Sequence, residues 1–192
     1  MPDIFSVFIN GSALEIIAQI LGVFALATSV ISFQMKTYRQ IMVMQIICAA
    51  LFSVHLGMLY AAGHRDAISG CVGNGICFVR DIVFWMTDRR VEKRRWLKTL
   101  VFSVLMVIAG IVTWQSPVSL ICTVGMVLKT VSFSMYDPQN VRRVILIASP
   151  FFLVYEILSA SIGGTVNEII SFTSAVIALF RYRKKKAKTE KA

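Results

Sequence analysis

The chain has 192 residues, of which 57% are hydrophobic and 16% charged, and its mean hydropathy is +0.73. A water-soluble domain of that composition lacks the polar groups to cover its surface, so the sequence describes a membrane protein. The net charge of +10 would suit a nucleic-acid binder, but the basic residues fall between or after long apolar runs, which excludes nucleic acid and marks the cytoplasmic side of a membrane.

Lipid offers no partner to backbone N–H and C=O groups, so spans are helices or a closed barrel. The apolar runs lack strict alternation, which excludes the barrel. The expected fold is an all-α polytopic membrane protein. Its seven transmembrane helices form two parallel three-helix bundles joined by a linker helix.

The N-terminal MPDIFSVFINGS carries no Lys or Arg. A secretory signal needs a positive start, so the first helix is expected to be retained. That helix is predicted from Ala13 to Phe33, with Glu15 at its start. The second runs from Gln40 to Ala62 and carries His55. The third runs from Asp66 to Thr87 and holds Gly70, Gly73, Asn74 and Gly75. The charged loop DRRVEKRR follows. The fourth helix, Trp96 to Trp114, has a Trp at each end, where indole rings favour the two membrane interfaces. Gln115-Ser116-Pro117 makes a tight connection. The fifth helix, Pro117 to Tyr136, contains Lys129. Asp137-Pro138-Gln139-Asn140 is predicted to be a turn. The sixth helix, Arg142 to Ile162, holds Pro150 and Glu156. Ser161-Ile162-Gly163-Gly164 is expected to break it, and the seventh starts near Thr165 and runs into RYRKKKAKTEKA. The chain is thus one membrane domain: a first bundle over 13–87, a linker over 96–114, a second bundle over 117–183 and a basic tail over 184–192.

Lys and Arg are distributed unevenly among the connections. Seventeen lie on one side of the membrane and one, Arg65, on the other, with Arg80 and Lys129 inside spans. Seven helices with the N-terminus outside give this partition, and the positive-inside rule puts the C-terminus in the cytoplasm. The lysine tail is expected to touch anionic lipid.

A shift of 100 residues lays Ile31-Ser32-Phe33-Gln34-Met35 over Val131-Ser132-Phe133-Ser134-Met135, and Gly63 over Gly163. From 31 to 63, seven positions are identical: 32, 33, 35, 47, 52, 54 and 63. Such self-similarity predicts an internal repeat. Three helices are an odd number, so one extra helix is needed to bring the second copy in upright. Parallel repeats of this kind form a transporter plan with the substrate site between them near the midplane.

This 3+1+3 layout resembles the SWEET and PQ-loop class. Pro138-Gln139 stands where that class has its PQ, and the first half has Arg39-Gln40 instead. Val54-His55, Ser161-Ile162-Gly163-Gly164-Thr165 with Glu168 after it, and Arg181-Tyr182-Arg183 resemble the YgjV family of bacterial inner-membrane proteins. That resemblance implies the fold and a bacterial inner-membrane location, and brings no substrate. SWEET-like carriers place an Asn in the third helix of each unit. Asn74 matches, but its shifted partner is Ser174, a departure that sets sugar specificity aside. Nicotinamide-riboside transporters carry a Trp-rich sixth helix, and the sixth helix here has no Trp.

Polar residues inside spans are costly and need a reason. The candidate solute-binding residues are Asn74, Ser174, Lys129, His55 and Glu156, with Pro150 as a candidate hinge. For Asn74 the alternative is an interhelical hydrogen bond. Arg80 and Asp81, about 100° apart on a helix, are not expected to face one another. Lys129 is expected to pair with Asp81 or to snorkel. His55, Tyr155 and Glu156 are expected at one level, as a polar cluster that could gate or carry a proton, or as a buried hydrogen bond. Cys48, Cys71, Cys77 and Cys122 all fall in apolar runs, without metal spacing. No catalytic constellation, metal site or cofactor motif is present, so an enzyme is not expected. The expected function is transport of a small polar solute. The alternative is a non-transporting receptor or assembly protein. Candidate partners are the bilayer, anionic lipid, a small polar solute and a second copy of the chain.

Overall fold

The computed structural model describes residues 11–34, 38–86, 95–135 and 138–189. Seven helices fill these segments: α1 (Ala13–Gln34), α2 (Tyr38–Ala61), α3 (Ala67–Met86), α4 (Arg95–Val112), α5 (Pro117–Ser134), α6 (Pro138–Leu158) and α7 (Ile162–Thr189). Five of them are long and apolar enough to cross a membrane, and the Ile162–Ile177 part of α7 is a shorter apolar helix. Large apolar side chains face outward, among them Phe24, Ile108, Ile111 and Ile169. In water such a surface would drive aggregation, whereas in lipid it is the natural exterior. The chain is an all-α polytopic membrane protein.

The helices pack as a ring. Helix α1 packs on α2, α2 on α3, α3 on α5, α5 on α6, α6 on α7, and α7 returns to α1; α4 lies against α3 and α5. One face of α4 is buried through Thr99, Phe102, Met106 and Gly110. Its two flanking indoles, Trp96 and Trp114, are exposed. An apolar core joins Leu56, Cys77, Met126, Phe152 and Tyr155 across the ring.

Helix ends follow local chemistry. Ser116 caps α5 by accepting the Val118 N–H at 3.2 Å, with Pro117 at the first helical position. Residues 138–140, expected in a turn, belong to α6. Proline suits a first helical turn, where its missing N–H has no intrahelical partner. The seventh helix begins at Ile162, so Gly163 and Gly164 lie in its first turn and do not break the chain. Their small size serves packing: a Cβ on Gly163 would stand 2.5 Å from the Gly22 carbonyl carbon of α1. The break is at Ala160, with φ of 54°; the α2–α3 turn instead uses Gly63, with φ of 110°.

Residues 35–37, where Met35 of the repeat match and Lys36 fall, Thr87 with residues 88–94 of the charged loop, residues 136–137, the first ten residues and residues 190–192 lie outside the described residues, as do the side chains of the basic tail.

Candidate functional site

The α6–α7 turn is held by helices from the other half of the chain. Gln19 of α1 donates from Nε2 to the Ala160 carbonyl at 2.8 Å and accepts the Ile162 N–H at 3.2 Å. His55 of α2 places Nδ1 2.6 Å from the Ala18 carbonyl and Nε2 2.8 Å from Ser161 Oγ. Its ring packs over Gly22, where a Cβ would lie 3.0 Å from Cε1. Ser161 caps α7 by accepting the Gly164 N–H at 3.1 Å. The Glu156 carboxyl and Ser161 Oγ meet in the space left by Gly164, where any side chain would strike them. Gln19, His55, Glu156 and Ser161 are all buried.

Tyr155 makes the corresponding reach in the other direction. From α6 its hydroxyl accepts the Gly70 N–H of α3 at 2.8 Å and lies 3.3 Å from the Asp66 carbonyl. So the second helix of each half sends a buried polar side chain to the entry of the third helix of the other half. These three residues were expected as one cluster. His55 bonds to Ser161, and the Glu156 carboxyl lies near the same Ser161 Oγ beside Gly164, whereas Tyr155 turns to α3.

Two ion pairs lie deeper in the ring. Lys129 Nζ of α5 is 2.6 Å from Glu168 Oε1 of α7 and sits 3.8 Å above the centre of the Phe152 ring. The expected Lys129–Asp81 pair does not form. Asp81 is taken by its neighbour Arg80, whose Nε lies at 2.9 Å and Nη2 at 2.8 Å. The angle between adjacent helix positions is bridged by the length of the Arg side chain, which bends back along its own helix. Arg80 also donates from Nη1 to Thr130 of α5 at 2.8 Å and stacks on Phe133. Burial of both partners excludes snorkelling.

Asn74 is half-buried and donates to the Gly70 carbonyl of its own helix at 2.9 Å. Ser174 is also half-buried. Asn74 follows Ala67, the start of α3, by seven residues, whereas Ser174 follows Ile162, the start of α7, by twelve. Pro150 lies inside α6 on its exposed side.

Gln19 and Thr130 were not singled out by composition or spacing, and Ser161 was named only as part of a turn. Gln19 carried the readable signal, a Gln within a span, where polar groups need partners. Ser161 and Thr130 look like ordinary small residues until a turn or a long Arg is placed beside them. Gln19→Leu is expected to orphan the Ala160 carbonyl and the Ile162 N–H, at about 1–3 kcal/mol for each. The check is thermal unfolding in detergent, read by a thiol-reactive fluorophore on Cys48, Cys77 and Cys122, which are free and buried.

An apolar groove of about 290 Å³ lies between α4 and α5, lined by Val107, Ile111, Trp114, Leu120 and Val127 among others. It includes none of the polar residues above, and the hydroxyl in its lining, Thr123, donates to the Ser119 carbonyl of its own helix. Among the described residues no group of three or more His, Cys, Asp and Glu could hold a metal ion.

Of the pieces that carry the family resemblance, His55 and the 161–165 segment meet at Ser161, and Glu168 follows that segment on α7; Val54 faces outward, and the 181–183 piece belongs to the end of α7. No curated protein and no solved structure matches the chain. A family model described as a bacterial inner membrane protein matches residues 16–186, nearly the whole chain, and the protein belongs to that family, Imp-YgjV.

Proposed function

We propose that the protein carries a small polar solute across the bacterial inner membrane by alternating access between two helix bundles, α1–α3 and α5–α7, with α4 as the linker. The observation that carries this reading is the reciprocal reach of His55 and Tyr155, each from the second helix of one half to the third helix of the other. Such paired cross-contacts can close one end of a ring while the other end opens. The ring supports an internal repeat as well, because α3 packs on α5 as α7 packs on α1. Equivalent positions support it further. Ser32 bonds to the Ser29 carbonyl and Ser132 to the Lys129 carbonyl, and Phe52 packs near Ala25 as Phe152 packs near Gly125. The Lys129–Glu168 pair supplies polar chemistry within the ring, with the Lys129 side chain 26% accessible.

The test is uptake into proteoliposomes across a broad panel of small polar metabolites. Uptake of at least one, lowered by Lys129→Met, is expected; no flux for any of them sinks the reading. The N-terminus is proposed outside and the C-terminus in the cytoplasm, from the Lys and Arg partition. Labelling of cysteines introduced near each end should find them on opposite faces of the membrane.

A second reading, a receptor or assembly protein without transport, is favoured by the Arg80–Asp81–Thr130 contact. That contact fastens α3 to α5 and leaves the guanidinium no surface for a solute. Neither reading requires catalysis.

A further inference from the structure

Among the described residues three carboxyl groups are buried in the ring: Asp81, Glu156 and Glu168. Asp81 has Arg80 and Glu168 has Lys129. Glu156 is 6% exposed, its Oε2 has no hydrogen-bond partner, and among the described residues it has no basic partner at ion-pair distance. A lone carboxylate in lipid-depth surroundings is costly, and such a group takes up a proton instead.

The surroundings of Glu156 supply a route for that proton. A carbonyl can only accept, so His55 Nδ1, 2.6 Å from the Ala18 carbonyl, carries a hydrogen. In the neutral ring Nε2 is then an acceptor, and Ser161 Oγ donates to it across 2.8 Å. That leaves the Ser161 oxygen lone pairs for the Gly164 N–H and for a donor on the Glu156 side.

We propose that Glu156, Ser161 and His55 form a proton-binding site, and, resting on the transport reading, that the proton it binds is the coupling ion. The hydrogen is held on Glu156. Once the carboxyl turns onto Ser161 Oγ, its neighbour beside Gly164, transfer breaks the Glu156 O–H bond as Ser161 Oγ takes that hydrogen. Ser161 in the same step passes its own hydrogen to His55 Nε2, leaving a carboxylate and an imidazolium with the net charge unchanged. The hydrogen is released to water from His55 Nε2 when its contact with Ser161 opens, since Nδ1 is held on the Ala18 carbonyl, which cannot take it. The titratable groups that face this line are Lys129 and Cys122 from α5 and Glu168 from α7, with Tyr155 on α6 itself; α1 contributes the uncharged Gln19. Glu168 lies one helical turn beyond Gly164, the glycine under the Glu156 carboxyl. Loss of the Glu156 proton therefore offers Lys129 a second carboxylate and loosens its hold on Glu168.

The experiment is an infrared pH titration of the full chain in vesicles of phosphatidylethanolamine and phosphatidylglycerol. A protonated-carboxyl carbonyl band is expected near neutral pH, lost at high pH and absent in Glu156→Gln. His55→Gln preserves both hydrogen bonds of the ring but cannot accept the hydrogen, so its band should exchange more slowly with heavy water. Should Glu156→Gln fail to fold, isotopically labelled glutamate must shift the wild-type band and must leave the band of Glu156→Asp unshifted. A wild-type band that is missing, or one that survives in Glu156→Gln, overturns the proposal. So does an exchange rate unaltered by His55→Gln, which is what a purely structural histidine would give. Solute uptake that is intact yet indifferent to pH and to Glu156→Gln removes the coupling and leaves transport standing. A band without any solute uptake removes transport and leaves the site.

Discussion

Lys129→Met is expected to destabilise the protein by about 3–5 kcal/mol, because it strands the Glu168 carboxylate in the ring. Glu168 is 3% exposed and its Oε2 already lacks a partner, so the Lys129 ammonium at 2.6 Å is its principal compensation. The loss should not add with removal of the carboxylate. Lys129→Met combined with Glu168→Gln should recover most of the stability, since the amide can be buried neutral. A double-mutant cycle on thermal unfolding in detergent checks this. If the double variant is as unstable as the sum of the single ones, the pair contributes no coupling and the ring is held elsewhere.

Gly163→Ala should cost at least as much as a typical overpacking substitution, about 1–3 kcal/mol. The new methyl would meet the backbone of Gly22, with its carbonyl carbon and oxygen both at 2.5 Å. No rotamer can relieve that contact, so α1 and α7 must separate. Their separation would also pull Gln19 from the Ala160 carbonyl and uncap the turn. Gly75→Ala is the matched control. Its nearest neighbour is Ser53 Oγ at 3.6 Å, an ordinary contact, and helix propensity favours Ala over Gly by about 1 kcal/mol. A Gly163→Ala protein as stable as Gly75→Ala would show that the two helices do not cross there.

Helix existence, helix type and the membrane as solvent were legible in the sequence because they depend on composition averaged over about 20 residues. The boundaries near α6 and α7 were not. Pro138 and the Gly163–Gly164 pair are punctuation in water-soluble chains. Here proline starts a helix, and the glycines admit α1 and the Glu156 carboxyl.

Which polar residues meet was the least legible part. Periodicity states which face of a helix a residue shares, and it says nothing about which helix lies opposite or how far a long side chain can bend. Lys129 could thus be named from sequence as needing a carboxylate, while Asp81 was withheld from it by Arg80, which bends back along α3, and Glu168 was left as its partner. His55 and Glu156 were identified as costly polar groups by the chain alone. Only the fold supplied Ser161 between them, because a turn more than 100 residues from His55 is brought beside it by the closure of α1 on α7. Burial energy is set locally and can be read along a chain, whereas partnership is set by closure of the ring and exists only in three dimensions.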